Sequence, residues 1–229
     1  MKKSVGIVGC GWLGKPLAET LKTSFEVECF CRNTTDDGSS FWQRDFIIIS
    51  IHTKDNYLQS VQKINRLVPL TSTIILMSST SVYREFECEV DENADIEKLS
   101  LQKEVEDLLL CSRERVLILR LGGLMGEDRI AGKWSKASTF EDGFVNYVHR
   151  DDVIGVVKLL LENKPQHKIY NVVAPMHPTR KEVHTRNSQK LGLQLGNFTG
   201  FSHRIVHSKT LEDEFKYKFI HPNPLNFWG

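Results

Sequence analysis

No C-x-x-C pair occurs among the five cysteines of this 229-residue chain, which are Cys10, Cys29, Cys31, Cys88 and Cys111. Thiols scattered in this way predict reduced cysteines and a cytoplasmic protein. Neither sign of charge is in excess. Lys and Arg number 30, Asp and Glu 29, and the formal net charge is +1. That balance argues against a nucleic-acid surface as the main function. No run is long and apolar enough to span a bilayer, so no membrane role is expected. Met1-Lys2-Lys3 leads directly into a strand, without the apolar segment of a signal peptide. Internal repeats and low-complexity tracts are also missing. The histidines lack a ligand pattern: His203 and His207 lie four apart, His177 and His184 seven apart, and no acid or cysteine accompanies them at a telling spacing. Surface histidines and no metal site are expected.

What is present starts at the N-terminus. Ser4-Val5-Gly6-Ile7-Val8 is a short apolar strand. It runs into Gly9-Cys10-Gly11-Trp12-Leu13-Gly14 and then into a helix carrying Leu13, Leu17 and Leu21 at helical spacing. A strand, a G-x-G-x-x-G turn and a helix together form a dinucleotide-binding fingerprint. Gly9 permits the tight turn. Gly11, without a β-carbon, lets a pyrophosphate approach the backbone. Gly14 lets the helix lie close on the strand. The helix start offers unpaired N–H groups and a positive dipole end to the phosphates.

Strands and helices then alternate. Strands are expected at 26–31, 46–51, 73–77, 116–121, 145–149 and 169–173, with a further short one at 204–206. Helices are expected over 57–68, with Tyr57, Val61, Ile64 and Val68 on one side, and over 96–111, burying Leu101, Val105 and Leu108. A helix capped by Asp151 should run through Leu161, and one should open on the capping box Thr179-Arg180-Lys181-Glu182. The polar stretch 33–43 is too short for another strand–helix unit, so one half of the usual fold is trimmed. The expected fold class is α/β: a doubly wound, mostly parallel, Rossmann-type sheet forming a single domain over 1–229. A small C-terminal substrate lobe is drawn mainly from 122–143 and 174–229. The apolar tail at Phe227-Trp228 docks on that lobe or makes a homodimer contact.

Ligands of such sheets sit at the carboxyl ends of the strands. This selects Gly9, Cys10, Gly11, Trp12, Leu13, Gly14, Arg32, Ser50, Ile51 and Ser78 as cofactor-binding candidates. Strand two ends Cys29-Phe30-Cys31-Arg32, with no acid at its tip to hold a ribose 2′-OH. Arg32 instead suits a 2′-phosphate, which favours NADP over NAD. The alternatives are that Arg32 stacks on adenine or is solvated, and that Asp36 or Asp37 reaches back.

Several ordered segments resemble the short-chain dehydrogenase/reductase superfamily, in its extended, epimerase/dehydratase-like branch. They are Ser78-Ser79-Thr80-Ser81-Val82-Tyr83, the acidic pair Asp91-Glu92, Leu119 to Gly126, Asn146 to Val153, and Ile169-Tyr170-Asn171-Val172-Val173. The resemblance implies NADP or NAD as cofactor and oxidoreductase or epimerase/dehydratase-like chemistry on a small hydroxyl- or carbonyl-bearing substrate. It departs from the family at the catalytic pair. The family couples Ser or Thr with Tyr-x-x-x-Lys, and no tyrosine here has a lysine four residues on. The matching helix positions read Lys98 and Gln102. Ser79 fills the serine position, and Tyr83 is the candidate acid beside it, so Ser79 and Tyr83 are the catalytic candidates. Lys98 is an alternative acid/base. A non-catalytic dinucleotide sensor or partner-binding protein is the competing class, and a fold carrying another adenosyl ligand is a third.

Overall fold

The computed structural model describes residues 2–31, 40–52, 56–83, 89–96, 100–133 and 139–228. In chain order the elements are β1 (Ser4–Val8), α1 (Gly14–Leu21), β2 (Glu26–Phe30), β3 (Phe46–Ile49), α2 (Tyr57–Leu67), β4 (Thr73–Ser79), β5 (Glu89–Val90), α3 (Leu101–Ser112) and β6 (Val116–Leu121). There follow β7 (Gly123–Met125), β8 (Thr139–Gly143), β9 (Tyr147–His149), α4 (Arg150–Glu162), β10 (Ile169–Val172), α5 (Arg180–Leu191), β11 (Asn197–Ser202), β12 (Ile205–Val206) and α6 (Lys209–Phe215). No described helix is long and apolar enough to cross a membrane.

A six-stranded sheet has the order β10-β6-β4-β3-β1-β2. β2 runs parallel to β1, β1 to β3, and β3 to β4. The chain leaves β1 for β2 on one side and returns to β3 on the other. That reversal is the switch point where open α/β sheets hold ligands. Among the described residues no strand lies beyond β2. β2 alternates exposed and half-buried residues, and Arg44 bridges to Glu26 and Glu28 on it. Charge of this kind blunts a sheet edge. The inner strands read as continuous apolar runs because both faces are covered: every residue of β6 is buried.

The residues divide into two compact units. Unit 1 comprises Met1–Val82, Lys98–Arg120 and His167–Ile169. Its core joins Ile47, Ile49, Ile74, Leu76 and Ile118 of the sheet to Tyr57, Val61 and Ile64 of α2 and Val105 and Leu109 of α3. Burying side chains of this size contributes about 1.5–3 kcal/mol each.

Unit 2 comprises Tyr83–Glu97, Leu121–Gln166 and Tyr170–Gly229. It holds three two-stranded parallel pairs, β5 with β12, β7 with β9 and β8 with β11. Met125, Ala131, Val145, Ala174, Val183 and Phe227 form a core there, so the apolar tail docks within its own unit. The capping box at Thr179 and Glu182 forms in full. Buried Asp152 accepts the backbone N–H groups of Ile220 at 2.6 Å and His221 at 3.0 Å and so straps the tail down.

Three expectations are corrected. The cysteines are not all reduced thiols: Cys10 and Cys29 are joined by a disulfide, because the pairing of β2 on β1 brings them together. The cap of α4 is His149, whose Nδ1 accepts the Asp151 N–H at 3.3 Å, and not Asp151. His184 is buried against Phe140 and Phe198 instead of lying on the surface.

Candidate functional site

The glycine turn is built by backbone demands that can be read from what a β-carbon would meet. Gly9 has φ +99° and an added Cβ would fall 2.3 Å from the Ser50 carbonyl oxygen. A Cβ on Gly14 would fall 2.2 Å from the Gly9 carbonyl oxygen. At Gly11 a Cβ would meet nothing within 4 Å. Two glycines therefore close the turn on itself and on β3, and the third leaves open space over its backbone. The Gly9 N–H donates to Phe30 O at 3.1 Å and the Ser50 N–H to Val8 O at 2.8 Å, which ties the turn to the ends of β2 and β3.

α1 begins directly on this turn. Leu13 at its N-cap makes no side-chain cap, and its first turn holds no acid. A helix start with no anion of its own is suited to an external one. Cys10, Gly11, Trp12, Leu13 and Gly14 thus line one turn, with Ser50 and Ile51 leaving β3 beside it. Arg32 lies outside the described residues, as does Lys98.

The two serines that end β4 point to opposite faces of the sheet and do different work. Ser78 donates its hydroxyl to Glu106 Oε1 at 2.5 Å. Glu106 is fully buried, and Arg120 Nη2 donates to its Oε2 at 2.8 Å. A carboxylate so far from water requires such a partner. Burial, reinforced by the Glu106 charge, pushes the Tyr57 phenol up to about 12. The Ser78 hydroxyl is spent inside unit 1. Ser79 instead accepts the Ser81 N–H at 3.1 Å.

Tyr83 belongs to unit 2. Its ring is fully buried, and its hydroxyl donates to Asn171 Oδ1 at 2.8 Å. Asn171 in turn donates its side-chain N–H to His207 O at 2.9 Å and its backbone N–H to Glu92 Oε1 at 2.9 Å. The phenol is held as a wall residue within its own unit. Glu92 is an acceptor for β10 and α6, and burial raises its carboxyl above the ordinary range.

One group escaped the sequence reading. Ligand atoms of His149, Asp151 and His221 lie within 4.8 Å of one another. Their spacing of two and seventy residues gives no local signal. The His149 and His221 rings lie with centroids 3.8 Å apart and planes tilted by 39°, and burial holds the His149 imidazole below its usual pKa. The group caps α4 and anchors the tail.

No family model matches the chain. The protein YeeZ of Escherichia coli strain K12 is 31% identical to it over 270 aligned positions, 97% of this chain and 98% of the relative. Among solved structures, one from Methylobacillus flagellatus superimposes with a TM-score of 0.82 at 18% identity, covering 100% of this chain and 97% of that one. Its name places it provisionally among NAD-dependent epimerase/dehydratases. The human epimerase family protein SDR39U1, solved with NADPH, gives 0.74 at 14% identity over 98% and 97%. dTDP-4-dehydrorhamnose reductase of Bacillus anthracis, in complex with NADP, gives 0.76 at 16% over 99% and 96%. These likenesses carry the fold, and the higher identity over nearly the full length carries the family. The chain belongs to the family of the Escherichia coli protein YeeZ and has the epimerase/dehydratase-type fold of the short-chain dehydrogenase/reductase superfamily.

Proposed function

We propose that this protein binds a nicotinamide dinucleotide at the glycine turn, NADP in preference to NAD, and acts as an epimerase/dehydratase-type oxidoreductase on a small hydroxyl- or carbonyl-bearing substrate. The observation that carries the reading is the open space over Gly11 beside an uncapped helix start. The residues fit the group: the backbone of Gly11 to Gly14 suits a pyrophosphate, Ser50 and Ile51 border it, and Arg32 suits a 2′-phosphate. Some of the similar structures are described with NADPH or NADP and others with NAD, which supports a nicotinamide dinucleotide, and the preference for NADP rests on Arg32. When bound, the nicotinamide supplies or accepts hydride at its C4. In this chain Ser79 keeps a hydroxyl proton to donate to the ribose, nicotinamide or substrate oxygen, and Ser78 fixes the strand end by its bond to Glu106.

A second reading has its own support. The chain lacks Tyr-x-x-x-Lys, and the Tyr83 proton is engaged by Asn171. Both favour a dinucleotide sensor without a phenolic proton donor. Calorimetric titration with NADPH and NADH tests the shared premise. NADPH is expected to bind more tightly, and Arg32→Ala to erase the difference. Equal affinities in the parent protein would remove the role of Arg32. Turnover of bound NADPH with any carbonyl substrate would decide for the enzyme.

A further inference from the structure

We infer that Cys10 and Cys29 form a reversible redox crosslink that sets how firmly the glycine turn holds its dinucleotide. The coupling to the dinucleotide rests on the function proposed above. The two sulfurs are bonded, with Cα atoms 6.1 Å apart and a sequence separation of 19. Their location gives the bond its meaning. Cys10 sits between Gly9, which closes the turn, and Gly11, which opens it. Cys29 faces Ile7 in the register of β1 and β2, one residue before the strand end. The bond therefore ties the phosphate-facing turn to the strand whose tip leads into Arg32. The backbone link between the same segments is the Gly9 N–H donating to Phe30 O at 3.1 Å.

Two features make the bond a switch instead of a fixed staple. Both cysteines are half-buried, so a small thiol can reach the sulfurs. The reduced state also has a place prepared for it: Cys10 Sγ lies 3.6 Å from Ile7 O, an acceptor for a thiol proton. The turn's other ties are non-covalent, the Gly9 N–H to Phe30 O and the Lys15 N–H to Gly11 O at 3.0 Å, and the backbone at Gly11 faces open space, so the disulfide is the covalent tie between the turn and β2. Buried Leu17 and Leu21 anchor α1 in either state. Reduction thus loosens the turn and leaves the helix in place. A loosened turn must be ordered again when ligand binds, which weakens affinity.

The chemistry balances with a peroxide and a dithiol. Oxidation breaks two S–H bonds and forms one S–S bond. The two protons and two electrons pass to hydrogen peroxide, whose O–O bond breaks to give two waters. In the reverse direction a dithiol thiolate attacks one sulfur and forms a mixed disulfide. Its second thiol then resolves that bond, restoring both cysteine thiols and leaving the dithiol oxidised.

The test uses the whole chain, divided between dithiothreitol and stoichiometric hydrogen peroxide, with each sample returned to the other state afterwards. Denatured thiol titration should find all five thiols after reduction. Oxidation should remove two of them and lower the mass by two hydrogens. The oxidised form should melt roughly 5–10 °C higher and bind NADPH at least about threefold more tightly. Cys29→Ser should give one melting temperature and one affinity under both treatments. Five titratable thiols after peroxide, an unchanged Kd between the wild-type forms, or a Cys29→Ser protein that still responds would each overturn the proposal. The wild-type cycle requires no substitution, so a poorly folding variant does not remove the test. If neither form binds NADPH or NADH while thiol count and melting still change, the dinucleotide reading fails together with the coupling, and the crosslink itself stands.

Discussion

Gly9, Gly11 and Gly14 share one turn and differ in what surrounds them. Gly9 and Gly14 face carbonyl oxygens at 2.3 and 2.2 Å from the place of a Cβ, whereas Gly11 faces open space. Alanine at Gly9 or Gly14 should therefore destabilise the chain by about 1–3 kcal/mol, read by denaturant unfolding. The same substitution at Gly11 should leave stability unchanged. These roles were legible in the sequence because a backbone demand is written directly as glycine at a fixed spacing. The neighbouring serines were less legible. Ser78 donates to Glu106, which lies 28 residues away, and no local pattern announces that bond. The Cys10–Cys29 bond escaped for the same reason, since only the pairing of β2 on β1 makes them neighbours.

Among the elements, α3 shows how a buried charge misleads a hydrophobic pattern. The periodicity pointed to Leu101, Val105 and Leu108. The helix in fact buries Val105, Glu106 and Leu109, with Leu101 exposed and Ser100 as its cap. Glu106 turns inward because Arg120 on β6 and Ser78 on β4 receive it. Glu106→Ala should cost about 3–5 kcal/mol, since the Arg120 guanidinium stays buried without its carboxylate. The double variant Glu106→Leu/Arg120→Met should lose clearly less than Glu106→Leu alone. Equal losses in thermal or urea unfolding would show that the pair is not what holds these elements together. α4 gives the converse lesson. Asp151 and Asp152 suit a helix start, yet His149 is the cap and Asp152 holds the tail through Ile220 and His221.

Across the whole molecule, alternating apolar runs made the parallel sheet legible. The three small strand pairs of unit 2 were harder to see, because strands of two or three residues carry almost no period. Unit 2 also concentrates histidines whose burial lowers their pKa, His149, His177 and His184. For His184 burial is the leading cause, with Arg180 adding to it and Asp142 opposing. A depressed imidazole favours the neutral form in the fold, and the unfolded chain takes up the proton first as pH falls below about 6.5. Its contribution is complete above that pH and is lost as pH drops toward the folded value. Melting curves from pH 7.5 to 5 should fall less steeply for His184→Phe than for the parent protein, and parallel curves would contradict the assignment. The central claim, that the backbone opened at Gly11 receives a dinucleotide, is tested most directly by NADPH-dependent melting of the parent protein and of Gly11→Ala. The account predicts that both melt alike without ligand and that saturating NADPH raises the melting temperature of the parent alone. Equal shifts in both proteins, or none in the parent, would contradict it.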